Sequence, residues 1–169
     1  MDLTKKIGCF DFELSTNNFF LAPKIQFANS FLRNMSYLLK KSNDNFNAAL
    51  TLSTEPKARF CSSIHCAYYS CLQMIIHILL DQTKKTEIEI RQLANDSKNT
   101  HIYYINEVRK LVETRNPKDV LVYKKIDDLK DFRVKSDYHD QPITEQQSSN
   151  ATGIAQQIRD LLIRIFKIS

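Results

Sequence analysis

An all-α helical bundle is the fold this sequence predicts, and three observations carry that expectation. Only two glycines and four prolines occur in 169 residues, which leaves little turn material for a many-stranded sheet. Helix formers (Leu, Lys, Gln, Glu and Ala) dominate the composition. The stretch Cys61–Leu80, CSSIHCAYYSCLQMIIHILL, has no glycine, proline or acidic residue and is apolar on more than one side. A helix of that kind is covered by neighbours on several faces. Its length would suit a membrane span, but His65, Gln73, His77 and the Ser and Tyr hydroxyls make that costly, and no basic flank orients it. It reads as the central helix of a soluble antiparallel up-down bundle of about five main helices.

The length suits one domain with a real core. Residues 1–24 read as an irregular extension packed on the bundle, where Phe10, Phe12 and Leu14 alternate, and residues 25–169 read as the helical domain. From Ile25 the apolar period becomes helical: Phe27, Phe31, Met35, Leu38 and Leu39, then Phe46, Ala49, Leu50 and Leu52. The polar run Ser42-Asn43-Asp44-Asn45 leaves open one long helix with a weak point or two helices. Pro56 marks the break before the central helix.

A short helix follows over Thr86–Ala94. After the loop Asp96–Asn99, Thr100 is expected to cap a helix with Ile102, Ile105, Val108, Leu111 and Val112 facing inward. Asn116-Pro117 is a start signal, and Val122, Ile126 and Leu129 give the next helix its stripe. Arg133 is the following position in that series, and Asp137 lies four residues on. Pro142 closes the element. Thr144 and Gln147 then form a capping box, ahead of Ala151, Ile154, Ala155, Ile158, Leu161, Leu162 and Ile165. Gly153 weakens this last helix by about 1 kcal/mol relative to alanine, in exchange for a close helix contact.

The net charge of +5 and pI near 9.0 permit a polyanionic partner without requiring one. The charge is spread in pairs such as Lys40-Lys41 and Lys124-Lys125, as on solvated faces. Cys61, Cys66 and Cys71 recur every five residues, about 140° apart around a helix, so they cannot pair with one another. Together with Cys9 they read as free thiols of a reducing cytoplasm. The N-terminus has no long apolar run of the signal-peptide kind.

Several chemistries find no support. There is no strained G-x-S-x-G turn for a hydrolase nucleophile. Gly8 and Gly153 make no phosphate loop. Cys61-x3-His65 puts two ligands on one helix face, which is not a zinc site. Neither a metal nor a cofactor is expected. His65, Tyr69, Gln73 and His77 repeat every four residues as a polar seam, either a hydrogen-bonded stripe between helices or the lining of a cleft or subunit interface.

The most informative cluster is Arg133-Val-Lys-Ser-Asp-Tyr-His139. Arg133 and Asp137 make an i,i+4 pair in the less favourable order for an exposed helix. An arginine on an apolar stripe points to a partner or ligand beyond the helix surface. On a continuous helix Arg133 and His139 stand about 240° apart, so they converge only if His139 lies past the helix end or a second subunit takes part.

Ser62-Ser-Ile-His-Cys-Ala-Tyr-Tyr-Ser-Cys71 resembles the second-helix signature of HEPN domains, the nucleotide-binding helical bundles of higher eukaryotes and prokaryotes. It is especially similar to a small stand-alone bacterial branch with an S-x4-YY motif. Thr100-His101 resembles that branch's Thr-His before the third helix. Arg133-x3-Asp137-Tyr138 followed by Pro142-Ile-Thr resembles its R-x3-DY segment before the last helix. The matches come in order and span roughly residues 43–167, leaving the N-terminal 24 residues uncovered.

The resemblance implies a homodimer in the cytoplasm. Many HEPN proteins are metal-independent endoribonucleases, toxins or phage-defence effectors, with an R-x4-6-H motif completed across the dimer. Arg133-x5-His139 fits that spacing. Histidine can move the proton of a ribose 2′-hydroxyl or its leaving oxygen, arginine can hold the phosphate, and Tyr138, Asp137, His65 and Tyr69 would support them. The branch often lacks the histidine, which implies an alternative. In it the chain is a non-catalytic module for nucleotide, RNA or a nucleotidyltransferase-like partner, and Arg133 and Asp137 are structural or ligand-contacting. Under either reading an antitoxin is a further partner that the resemblance implies.

Overall fold

The computed structural model describes residues 21–54, 59–139 and 142–168, with side chains described from Tyr37 onward. Among the described residues there are six α-helices and no strand: α1 (Leu21–Thr54), α2 (Phe60–Thr83), α3 (Glu87–Asp96), α4 (Thr100–Arg115), α5 (Val120–Tyr138) and α6 (Glu145–Phe166). The all-α expectation holds, with five long helices and the short α3. Residues 1–20 and Pro56 lie outside the described residues, and residues 21–24 are already helical.

The centre of the bundle is α2, which packs against α1, α4, α5 and α6. Ile64, Ala67, Tyr68, Cys71, Met74 and Ile75 are fully buried there, so the missing polar face is explained by neighbours all round. By length and composition α2 could cross a membrane, yet 72% of its most apolar window is buried inside the bundle. Burial pushes the Cys71 thiol up to about 12, while Cys61 is exposed.

Paired side chains give the helix directions. Ser42 Oγ donates to the Ser70 carbonyl (2.7 Å) and Ser63 Oγ to the Ala49 carbonyl (2.8 Å), so α1 and α2 are antiparallel. Tyr68 meets His101 and Gln82 meets Arg115, so α2 and α4 run the same way, with α3 as the return. Lys125 meets Gln157 and Asp119 meets Arg164, which makes α5 and α6 antiparallel.

The helix α1 is continuous through Ser42-Asn43-Asp44-Asn45. Ser42, Asn43 and Asn45 bond across helices, and Asp44 pairs with Lys40 one turn back on α1. Ser42 and Asn43 accept from Arg159 of α6 (Asn43 Oδ1 at 2.6 Å), and Asn45 Nδ2 donates to Gln73 Oε1 at 2.8 Å. Arg159 is 5% exposed and lies 4.9 Å over the Phe46 ring.

Caps fix the starts of α3 and α6. Thr86 with Glu89, and Thr144 with Gln147, form reciprocal capping boxes. The cap of α4 is Asn99, whose side chain accepts from the Ile102 backbone N–H, and Thr100 is the first helical residue. Asn is among the most favoured N-cap residues. Asn116 and Pro117 lead into a 3-10 turn, Pro117–Asp119, before α5.

The inward faces differ from the sequence reading at a few positions. Leu50 and Ile102 are largely exposed, while Tyr123 is fully buried and donates to the Ile105 carbonyl at 3.0 Å. Gly153 makes no close helix contact: a Cβ there would meet nothing within 4 Å. It faces an open groove of about 570 Å³ between α5 and α6, beside Phe132 and Ile154.

Candidate functional site

Three helices bring polar side chains together around Tyr69. From α2 come His65, Tyr68 and Tyr69, from the start of α4 comes His101, and from the end of α5 come Arg133, Asp137 and Tyr138. The ring of Tyr69 lies 4.6 Å from that of His65 and 5.9 Å, edge-on, from that of His101. The Arg133 guanidinium carbon is 5.8 Å from the Tyr69 centroid and 5.1 Å from that of Tyr138. Such a cation over two aromatic faces is attracted by both ring quadrupoles.

Asp137 is the hub. Its Oδ2 lies 2.7 Å from Arg133 Nε, an ion contact off the line of a hydrogen bond, and 3.1 Å from His65 Nδ1. Ser136 Oγ donates to its Oδ1 at 3.3 Å. The i,i+4 spacing therefore closes as a pair on α5, and the carboxylate also ties α5 to α2. Arg133 Nη2 donates to the Tyr138 hydroxyl at 3.3 Å, while Nη1 makes no hydrogen bond to a described residue. Partial burial pulls the guanidinium pKa down, but the Tyr138 bond and the Asp137 charge outweigh it and leave it raised.

The two imidazoles take opposite tautomers when neutral. An ionised carboxylate only accepts, so His65 must donate through Nδ1–H to Asp137, and its Nε2 keeps a lone pair. Burial holds the Tyr68 hydroxyl well above its usual range, so it stays protonated and donates to His101 Nδ1 at 3.0 Å. The proton of neutral His101 is then on Nε2. Burial first, and then the charges of Arg133 and Lys130, lower the His101 pKa. His101 is therefore a neutral hydrogen-bond donor at pH 7, its pKa lowered in part by the Arg133 charge.

Of the residues singled out from sequence, Arg133, Asp137, Tyr138, His65 and Tyr69 are brought together. His139 is not. It is the exposed residue past the C-terminus of α5, with extended backbone (φ −101°, ψ 136°) and its N–H on the Lys135 carbonyl at 3.2 Å. Its side chain makes no hydrogen bond, ion pair or ring contact with a described residue. The polar seam of α2 divides: His65 turns to α5, and Gln73 bonds Asn45 of α1.

Sequence reasoning missed two members as site residues, Tyr68 and His101. Tyr68 is hidden by its full burial. His101 gave a signal, since positions 101, 105, 108 and 112 share one face of α4, so that an imidazole falls on the helix's apolar stripe beside the buried Ile105, Val108 and Val112.

No family model matches this chain, and neither a curated protein nor a solved structure matches it. What the site does rests on its own atoms.

Proposed function

We propose that the chain is a HEPN-type helical module which binds RNA or a nucleotide, as a homodimer in the cytoplasm, at the α2–α4–α5 face. One observation carries the reading: Arg133, 16% exposed, meets Asp137 through Nε and Tyr138 through Nη2, and its Nη1, without a hydrogen bond to a described residue, can serve a ligand. Guanidinium edges match phosphate oxygens, the Nε2–H of neutral His101 supplies a further donor, and Tyr69 with the 71%-exposed Tyr138 offers faces on which a base can stack. No metal or cofactor is needed for such contacts. An antitoxin or a nucleotidyltransferase-like protein fits as a partner of the same module.

Fluorescence anisotropy with a labelled mixed-sequence single-stranded RNA tests this. Arg133→Ala should weaken binding on the order of tenfold, as loss of about 1.4 kcal/mol of charge-assisted contact requires. Equal binding by Arg133→Ala and wild type would overturn the reading.

A second reading is a metal-independent endoribonuclease, a toxin or phage-defence effector, in which Arg133 and His139 complete a composite site across the dimer. It is favoured by the place of His139 past the end of α5, the position from which its side chain is free of the helical register. Cleavage lost in His139→Ala, with the dimer intact by light scattering, is its expected outcome.

A further inference from the structure

We infer that the α2–α4–α5 face is a proton-linked anion clamp: His101 takes up a proton when a phosphate backbone settles beside Arg133, so RNA affinity rises as pH falls. The inference rests on the RNA-binding reading above and adds its regulation. His101 and Arg133 share one aromatic neighbour, with the His101 ring 5.9 Å and the guanidinium carbon 5.8 Å from the Tyr69 centroid. An anion at this ring lies in the field of both.

A latch between two helices keeps His101 neutral in the free chain. Tyr68 of α2 is fully buried, and its hydroxyl donates to Nδ1 of His101 on α4 at 3.0 Å. That bond needs the Nδ1 lone pair, which only the neutral ring has. Protonation turns Nδ1 into a donor and the hydroxyl into its acceptor. The buried Tyr68 hydrogen is then left without an acceptor among the described residues, which is costly. The charges facing His101 oppose the proton too: Arg133 and Lys130 come from α5, while the Tyr68 and Tyr69 rings of α2 bring no charge. No carboxylate among the described residues contacts the ring. His65 is the contrast, since Asp137 gives it an anion at 3.1 Å with or without a ligand.

A bound phosphodiester supplies the missing anion. It offsets the repulsion from Arg133 and Lys130 and accepts from Nε2–H, which the ring keeps in both charge states. Ligand and proton then favour each other reciprocally. Because one proton is taken up, affinity should rise by up to about tenfold per pH unit between the free and the bound pKa of His101. The free value lies below the ordinary 6.5, so the rise is expected from about neutral pH downward.

The test measures anisotropy of a labelled mixed-sequence single-stranded RNA with hydroxyl ends, so that its phosphates stay ionised, between about pH 5.5 and 8 at fixed ionic strength. Wild type should bind on the order of tenfold tighter at the acid end, at equal helicity. His101→Gln should flatten the profile, and His65→Gln should keep its slope whatever its affinity. Tyr68→Phe, which removes the latch and keeps the ring, should move the rise to higher pH. NMR of the imidazole Cε1–H signals reads the proton directly: saturating RNA should raise the His101 pKa, whereas a purely structural His101 would titrate alike with and without it. Affinity independent of pH, a profile unchanged in His101→Gln, or a profile lost in His65→Gln instead overturns the inference while the binding reading stands. No RNA binding at any pH removes both.

Discussion

Two arginines, both on the apolar stripes of their helices, are solved in opposite ways. Arg159 is inside the bundle, 5% exposed, and is met by the neutral oxygens of Ser42 and Asn43 and by the face of Phe46. Burial lowers its pKa, and it pins α6 to α1. Arg133 is 16% exposed, with a carboxylate at Nε, tyrosines around it and an Nη1 that makes no hydrogen bond to a described residue. The contrast separates a structural cation from a functional one. Where the acceptors are neutral and lie on a neighbouring helix, the charge holds helices together; where a carboxylate and a tyrosine hydroxyl meet Nε and Nη2, Nη1 remains for a ligand.

The largest expected break of this contrast is Arg159→Ala, which removes the packing of a long side chain and both cross-helix hydrogen bonds. It should cost about 2–4 kcal/mol in urea unfolding and leave RNA affinity unchanged once folded fractions are equal. Ser42→Ala should follow at about 1–3 kcal/mol, because a buried guanidinium loses an acceptor. Arg133→Ala should cost less than Arg159→Ala, because Asp137 keeps His65 as a partner at 3.1 Å, although it lowers RNA binding most. A loss of stability at Arg133 as large as that at Arg159 would erase the distinction.

A smaller effect is the pH response of the rim. The folded pKa of His101 is lowered by burial and by nearby cations, so below about pH 6.5 the unfolded chain binds more protons than the folded one. Stability due to this group is complete above that value and lost as pH falls through the window down to the folded pKa. Thermal unfolding at pH 7 and 5.5 should show a decrease that His101→Gln reduces. Smallest in energetic terms is the thiol contrast: iodoacetamide should label exposed Cys61 in the native state and spare Cys71, whose thiol is buried and held near 12. Peptide mass spectrometry reads both.

The same contrast shows what the sequence could disclose. Periodicity exposed the central helix, because twenty residues without a polar face can only be covered on several sides. Local chemistry exposed the capping box at Thr144, whereas the box of Thr86 with Glu89 emerged only with the structure. The Ser42–Asn45 run looked like a weak point because its partners are far along the chain; Ser42 and Arg159 meet across 117 residues. Arg159 was nonetheless open to the reasoning applied to Arg133, since it lies four residues after Ala155 on the apolar face of α6. The site was half legible. Arg133, Asp137, Tyr138, His65 and Tyr69 were found by spacing and by resemblance, whereas the link of His65 to Asp137 across 72 residues depends on how α2 crosses α5. No period within either helix encodes that crossing.

The most direct test of the central claim is to map the RNA site by NMR, titrating single-stranded RNA into isotope-labelled full chain and following backbone amide shifts. The account predicts that the largest shifts fall on residues 65–69, 101–103 and 133–139, and that Arg133→Ala, its helicity unchanged, needs about tenfold more RNA to reach them. Shifts centred instead on the groove between α5 and α6, around Lys125, Gly153 and Gln157, would contradict it.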